Sequence, residues 1–461
     1  MGGIGEHLPM LKLLSLATML ALLSCSQMGN VEQRIFPYRS EVHDFPNGLR
    51  SIVIDSGYPN LVALYIVVQV GSRNEVEPGR SGFAHLFEHM MFRGTERFPS
   101  EKWEEIMQSA GAETNAYTTD DRTVYHAIFA KEDLERILEL EADRFQNLAY
   151  SEEQFRTETR AVLSEYNKSF ANPYRKLDEA KRDTTFSTHT YKHTTMGFIE
   201  DVEAMPEMYD YGLQFFDRYY RPEYTTVTVV GDVDFAESRA LIEKYWGDWE
   251  RGNYTAPIPE EPPQNGPKRA NVEFHAPTLP LTTISYRAPA YDDEVIDSAV
   301  LDIISFQAFG ENSPLYKKLV IDEQKVDTLF TDYVDHFDPY PFGVVARVKD
   351  PNDLDYVEAQ ILATLQSLKT EPIPVEELAA VKSHLRYQFA LSMNSTGAIA
   401  RTLAHYIGLR RDPETINKRY RLYDAVTPED VQMVAEKYFK PEGQTIVRLG
   451  QVMDSMPAEA E

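Results

Sequence analysis

Cysteine is nearly absent from this 461-residue chain, which has one, Cys25. An intramolecular disulfide is excluded, so a packed core must hold the fold. A hydrophobic content of 43% and a length of two or three domains allow one. Basic residues are also scarce: 46 Lys and Arg stand against 73 Asp and Glu, a formal net charge of −27. That balance argues against nucleic acid or an anionic membrane surface as a partner, because phosphates would be repelled, whereas a cationic peptide would be attracted. Its plainest reading is a solvated surface that keeps the chain soluble. Histidine is sparse too, with 11 residues and no His-rich tract, which disfavours metal storage or transport.

What is present begins with a leader. Residues 10–25 read "MLKLLSLATMLALLSC": a lysine, an apolar stretch too short to span a bilayer comfortably, a small residue and the cysteine. The pattern reads as a secretory signal, and Leu22-Leu23-Ser24-Cys25 resembles a bacterial lipobox, whose cysteine is lipidated and becomes the mature N-terminus. The preceding "MGGIGEHLP" holds Glu6 and no cation, which favours Met10 as the natural start. A cleaved signal without lipid and a short membrane anchor are the other readings. A lipid on Cys25 followed by the polar "SQMGNVEQ" would tether a soluble body to the periplasmic side of a membrane, the outer membrane of a Gram-negative cell, without embedding it.

Beyond the leader, strands and helices mix without strict alternation, which gives an α+β class. "LRSIVID", "LVALYIVVQV", "TVYHAIFA" and "YTTVTVVGDVD" read as strands, and helical periodicity runs over 84–92, 103–110, 134–148 and from Ser151 to about Phe170, where Asn172-Pro173 stops it. The stretch from Arg251 to Arg269 is dense in proline, glycine and charge and reads as a linker. The segments on either side look like copies of one another. "FFDRYYRPEYTTVTVVGDV" (215–233) has the counterpart "VAEKYFKPEGQTIVRLGQV" (434–452), with Gly231 matching Gly450. The predicted fold is therefore two homologous α/β-sandwich domains from an internal duplication, joined by a Pro-rich linker. The predicted spans are a signal at 1–25, a tether at 26–40, a first domain at 41–250, a linker at 251–270, a second domain at 271–453 and an acidic tail at 454–461.

One apolar helix carries polar groups that its copy lacks. In "AHLFEHMMFRGTE" (84–96), His85 and His89 stand one turn apart and Glu88 adjoins them, whereas the matching "VLDIISFQAFGEN" (300–312) has neither histidine nor glutamate there. The fold does not need these side chains at that place. Two imidazoles on one face can bind one metal ion, and a carboxylate beside them can act as a base, the chemistry of an inverted H-x-x-E-H zinc motif. A hydrolytic zinc site needs a third protein ligand. Candidates lie in "FRTETRAVLSEYNKSFANP", where Glu158 and Glu165 are seven residues apart and share a helical face; a solvated acidic face is the alternative.

With these residues the chain resembles the pitrilysin/insulinase family of zinc peptidases, which includes the mitochondrial processing peptidases. The likeness runs from about Val42 to Val452, and "GFAHLFEHMMFRGT" is similar to that family's zinc-helix signature. The resemblance implies one Zn2+ per chain on His85, His89 and Glu165, with Glu88 as general base and Glu158 supporting the site. "GAETNAYTTDDRTVYHAI" resembles the segment whose edge strand binds substrate backbone, which carries that role to Asn115, Ala116 and Tyr117; an ordinary edge strand is the alternative. The expected activity is metalloendopeptidase hydrolysis of peptides or unfolded proteins.

There is one departure. Active single-chain and homodimeric members of that family carry an arginine and a tyrosine seven residues apart in the second domain, and aligning "SPLYKKLV" places Val320 and Asp327 there; Lys318 and Tyr316 are nearby at the wrong spacing. The chain thus resembles the catalytic subunit of a two-chain enzyme, a heterodimer whose homologous partner supplies the Arg/Tyr pair. A homodimer is the alternative partner reading, and a non-catalytic assembly or peptide-binding subunit the alternative function.

Overall fold

The computed structural model of the chain describes residues 34–451, so the leader with Cys25 and the acidic tail lie outside the described residues. Among the described residues no helix is long and apolar enough to cross a membrane.

The first half builds on strands β1 (Arg39–Asp44), β2 (Arg50–Asp55), β3 (Leu61–Val68), β4 (Glu113–Thr118), β5 (Thr123–Ala130) and β6 (Thr225–Gly231), in the sheet order β1-β2-β6-β3-β5-β4. Its longer helices are α1 (Phe83–Met90), α2 (Ser100–Ser109), α3 (Leu134–Asn147), α4 (Glu152–Phe170), α5 (Pro173–Thr185), α6 (Tyr209–Tyr219) and α7 (Phe235–Trp246). The second half has β7 (Lys268–Phe274), β8 (Leu281–Arg287), β9 (Val326–Asp332), β10 (Pro341–Val348) and β11 (Gln444–Gln451), ordered β7-β11-β8-β10-β9. Its longer helices are α8 (Asp297–Phe309), α9 (Leu354–Thr370), α10 (Val375–Ser392), α11 (Thr396–Arg410), α12 (Glu414–Ala425) and α13 (Pro428–Tyr438).

The two sheets repeat one topology. The parallel pair β2/β6 corresponds to β7/β11, and β6, β3, β5 and β4 follow in antiparallel order just as β11, β8, β10 and β9 do. Duplication of an α+β unit accounts for this, with β1 an addition to the first copy. The strand β1 was not foreseen: its "RSEVHD" lies on the sheet edge, largely solvated, and has no apolar alternation to read. It also takes the last two residues of the segment read as a tether. Similarly, β7 begins at Lys268, inside the stretch read as linker, and pairs with β11 from there. The rest of that stretch is pinned rather than free. Glu261 accepts the backbone N–H groups of Ser187, Thr188 and His189 at 2.8, 2.8 and 2.9 Å, and Arg287 donates to the carbonyls of Glu261 and Pro262 at 2.9 Å each.

Each half lends a helix to the other. Helix α5 lies on β7, β8 and β11, where Leu177 joins a core of Leu281, Val345, Val447 and Leu449. Helix α11 lies on β3 and β6 of the first sheet. This is why β3 is buried along almost its whole length: Val62, Leu64, Ile66 and Val68 face the first half's own core, and Ala63, Tyr65 and Val67 are buried on the opposite face. Close approach depends on two glycines of α11, since a Cβ at Gly397 would strike Ile128 of β5 and one at Gly408 would strike Arg122.

Candidate metal centre

Helix α1 forms where the chain turns at Gly82, whose φ of 92° an L side chain rarely adopts. The orphan amides of its first turn are met by one carboxylate: Glu75 accepts from Gly82 and Ala84 at 2.7 Å each. Burial pushes the Glu75 carboxyl well above its ordinary range, opposed by those two amides. The apolar face of α1, with Phe83, Leu86, Phe87 and Met90 fully buried, anchors the helix in the core. His85, Glu88 and His89 are then held on a rigid element. In the second half the matching helix α8 buries Leu301 and Ile304 at the positions of His85 and Glu88, and sets Ser305, its hydroxyl turned back on the Leu301 carbonyl, at the position of His89.

Opposite α1 runs α4, started by a capping box in which Ser151 and Gln154 satisfy each other's backbone amides. It brings Glu165 to both imidazoles: Glu165 Oε2 lies 3.7 Å from His85 Nε2 and 3.4 Å from His89 Nε2. One ligand atom from each of the three residues falls within 4.8 Å of the others. Burial, aided by the neighbouring His89, pushes the His85 pKa down to about 3, so this ring is neutral at ordinary pH, the form that ligates. Two imidazoles and a carboxylate make a donor set that suits zinc.

Glu158, two turns before Glu165, stands behind this cluster. Its carboxylate is 3.4 Å from His89 Nδ1 and ion-paired to Arg93. A proton on Nδ1 directed at Glu158 leaves the Nε2 lone pair of His89 facing Glu165.

Glu88 is held by a strand. Thr118 of β4 donates its hydroxyl to Glu88 Oε2 at 2.6 Å. Burial raises the Glu88 carboxyl above its usual value, and the Thr118 hydrogen bond and the nearby His89 partly offset this. β4 is the free edge of its sheet, and an open cleft beside it is lined by Glu88, His89, Arg93, Asn115, Ala116 and Glu158, among others. Asn115 Oδ1 takes the N–H of Ala116 at 2.9 Å, so that edge donor is already engaged. Tyr117 is the exception among the sequence-derived residues. Alternation along β4 puts Ala116 and Thr118 toward α1 and turns Tyr117 to the other face, where its ring lies 6.4 Å from His126.

Thr118, Arg93 and Glu75 were not read from the sequence. For Thr118 the signal existed, since it follows Ala116 by two in the same strand; the pairing of Arg93 and the capping by Glu75 depend on tertiary approach. Of the two positions aligned with the family's Arg/Tyr pair, Val320 lies on a helical segment at 317–322, while Asp327 is on β9 and pairs with Arg347 at 3.4 Å. Lys318 instead donates to Gln360 at 2.6 Å.

The sequence matches the family described as Insulinase (Peptidase family M16) over residues 52–198 and the Peptidase M16 inactive domain over residues 210–385. A zinc protease of Helicobacter pylori, PqqE, is 26% identical over 452 residues, covering 96% of this chain and 99% of that one. A solved protease structure from Helicobacter pylori superposes with a TM-score of 0.83 at 26% identity, covering 89% of this chain and 99% of the other. The probable mitochondrial-processing peptidase subunit beta of Schizosaccharomyces pombe is 23% identical over 413 residues, 87% of this chain and 88% of that protein.

Proposed function

The chain belongs to the insulinase (M16) peptidase family, and from that premise we propose that it is a zinc-dependent endopeptidase with His85, His89 and Glu165 as metal ligands and Glu88 as general base. The observation that carries the reading is the convergence of those three ligand atoms within 4.8 Å, with Glu88 on the same helix turn. Zinc bound there supplies Lewis acidity, polarising a peptide carbonyl and acidifying water. The protein's own groups do the rest. Glu88, made more basic by burial and steered by Thr118, takes the proton of the attacking water and returns it to the leaving amine. Glu158 holds His89 in the tautomer that presents Nε2. The edge of β4 at Asn115 and Ala116 receives substrate backbone by strand addition, the Ala116 N–H exchanging its Asn115 partner for a substrate carbonyl. Tyr117 contributes backbone alone to that edge.

The test is Glu88→Gln. Zinc stoichiometry should stay at one per chain while peptide hydrolysis falls by about 10²–10⁴-fold; unaltered hydrolysis would remove Glu88 as the base.

The same reading makes the chain one subunit of a pair. Val320 and Asp327 offer no group to a developing oxyanion, and a homologous chain bearing an arginine and a tyrosine would complete the site, as the likeness to a processing-peptidase beta subunit supports. A second copy of this chain is the alternative partner, and a non-catalytic subunit the alternative role; loss of stoichiometric zinc on purification would favour the latter. The leader supports export and anchoring through a lipid on Cys25.

A further inference from the structure

Past Glu165 the site continues away from β4. The turn between α4 and α5 forms an open cleft lined by Ser164, Glu165, Lys168, Ser169, Asn172 and Arg175. Lys168 follows Glu165 by three residues, about 4.5 Å along the helix axis. Arg175 also lines the adjoining cleft between α5 and the second sheet, with Tyr174, Phe330 and Asp332, where the Tyr174 and Phe330 rings are 6.1 Å apart. The metal cluster therefore sits between the β4 cleft, whose charged lining includes Glu88, Glu104 and Glu158, and a cleft with two cations. Both cations are exposed, and among the described residues neither side chain makes a hydrogen bond or ion pair. In a chain of net charge −27 most of the surface repels a carboxylate; this place, next to the reacting centre, does not.

We propose that Lys168 and Arg175 form a carboxylate-binding subsite beside the metal cluster, which takes an acidic side chain or the C-terminal carboxylate of a peptide whose other end lies along β4. The inference rests on the peptidase reading and extends it to substrate class. The hydroxyl of Ser169 adds a neutral donor for the same carboxylate, that of Ser164 being committed to the Arg160 carbonyl at 2.8 Å, and a cationic residue at that position is rejected by like charge.

Binding is measured by fluorescence anisotropy on the full-length Glu88→Gln protein, so that no peptide is consumed. Four labelled peptides share one sequence: with glutamate or glutamine at the test position, and with a free C-terminal acid or a C-terminal amide. The carboxylate peptides are expected to bind about tenfold tighter than their amide counterparts, about threefold for each cation. Whichever pair shows the difference identifies the source of the carboxylate. Lys168→Gln with Arg175→Gln should erase the preference, Lys168→Glu with Arg175→Glu should reverse it, and Lys168→Arg should keep it. An equal ratio in the parent and both double variants, or no preference in the parent, overturns the subsite. With Glu88 restored, the double variants should raise KM for carboxylate peptides alone and leave kcat unchanged. If the parent, assayed both alone and together with the homologous chain that co-purifies with it, hydrolyses none of the peptides while the binding preference follows the two cations, the peptidase reading falls and the subsite stands.

Discussion

Glu158 and Glu165 stand two turns apart on one helix and meet different neighbours. Glu158 is buried between His89 and Arg93, whereas Glu165 is about half exposed and faces both imidazoles. Their replacements should differ accordingly. Glu158→Gln should weaken zinc binding about 10–100-fold, read by competition with a chromophoric chelator, with the metal still retained at saturation. Glu165→Ala should abolish stoichiometric zinc altogether; retention of one zinc in that variant would show that another residue completes the donor set. At this scale the sequence was informative because both acids and both histidines sit at helical spacings, and a helix preserves sequence spacing as geometry. Thr118 and Arg93 escaped because their contacts join separate elements: Thr118 reaches Glu88 across thirty residues, and Arg93 closes on Glu158 from a neighbouring turn.

Among elements, helix α11 makes the strongest demand. Gly397 presses on the end of the Ile128 side chain in β5 and Gly408 on the Arg122 side chain in the turn before it, and a Cβ at either glycine would strike that side chain. A methyl at Gly397 needs only the Ile128 end to turn aside and is offset by the gain in helix propensity, whereas Gly397→Val carries two further carbons into the contact and should destabilise the protein by about 1–3 kcal/mol in urea unfolding. An unchanged unfolding midpoint would mean that α11 shifts freely on its sheet. The strands β2, β3, β5 and β6 and the helices α1 and α4 were legible because apolar runs and 3.6-residue periodicity are local signals. Which sheet α5 and α11 cover was not, because an amphipathic face says that a helix is covered and not by what. The topology of the second half was foreseen through its likeness to the first, a signal stronger than its own periodicity.

Across the whole described body the halves meet at charged groups. Asp120 and Asp121, in the turn after β4, face His336 and the Phe337 amide from the loop between β9 and β10, Arg182 from α5, and the Tyr191 hydroxyl. Close by, Asp338 joins Arg73 and His189. His336 directs Nε2 at Asp120 at 3.1 Å and Nδ1 at the Val334 carbonyl at 2.7 Å, and a ring can donate from both nitrogens only when protonated. Burial opposes that charge, but the Asp120 hydrogen bond and the charges of Asp121 and Asp120 outweigh it and raise the His336 pKa above 6.5. Asp120 moves the other way: burial would raise it, and Arg182 and His336 hold it below its ordinary 3.8. The raised histidine contributes stability that is complete below 6.5 and lost as pH climbs through its folded value; the depressed aspartate contributes stability that is complete above 3.8 and lost in strong acid. Thermal unfolding should thus be most resistant between these limits. His336→Gln should cost about 1–3 kcal/mol there and flatten the decline toward alkaline pH; a parallel, merely lowered profile would place the titration on another group.

The exchanged helices α5 and α11 have a further result for this body. Because each half completes the other's sheet, the bond between them along the linker is not what keeps them together. A chain cut at the exposed Asn265, past the segment that Ala256 and Glu261 pin, should yield a nicked protein that still elutes as one species and parts only in denaturant. The two fragments, produced separately, should each be insoluble, with a bare sheet face exposed, and should regain a common fold when refolded together, a split protein encoded in one gene.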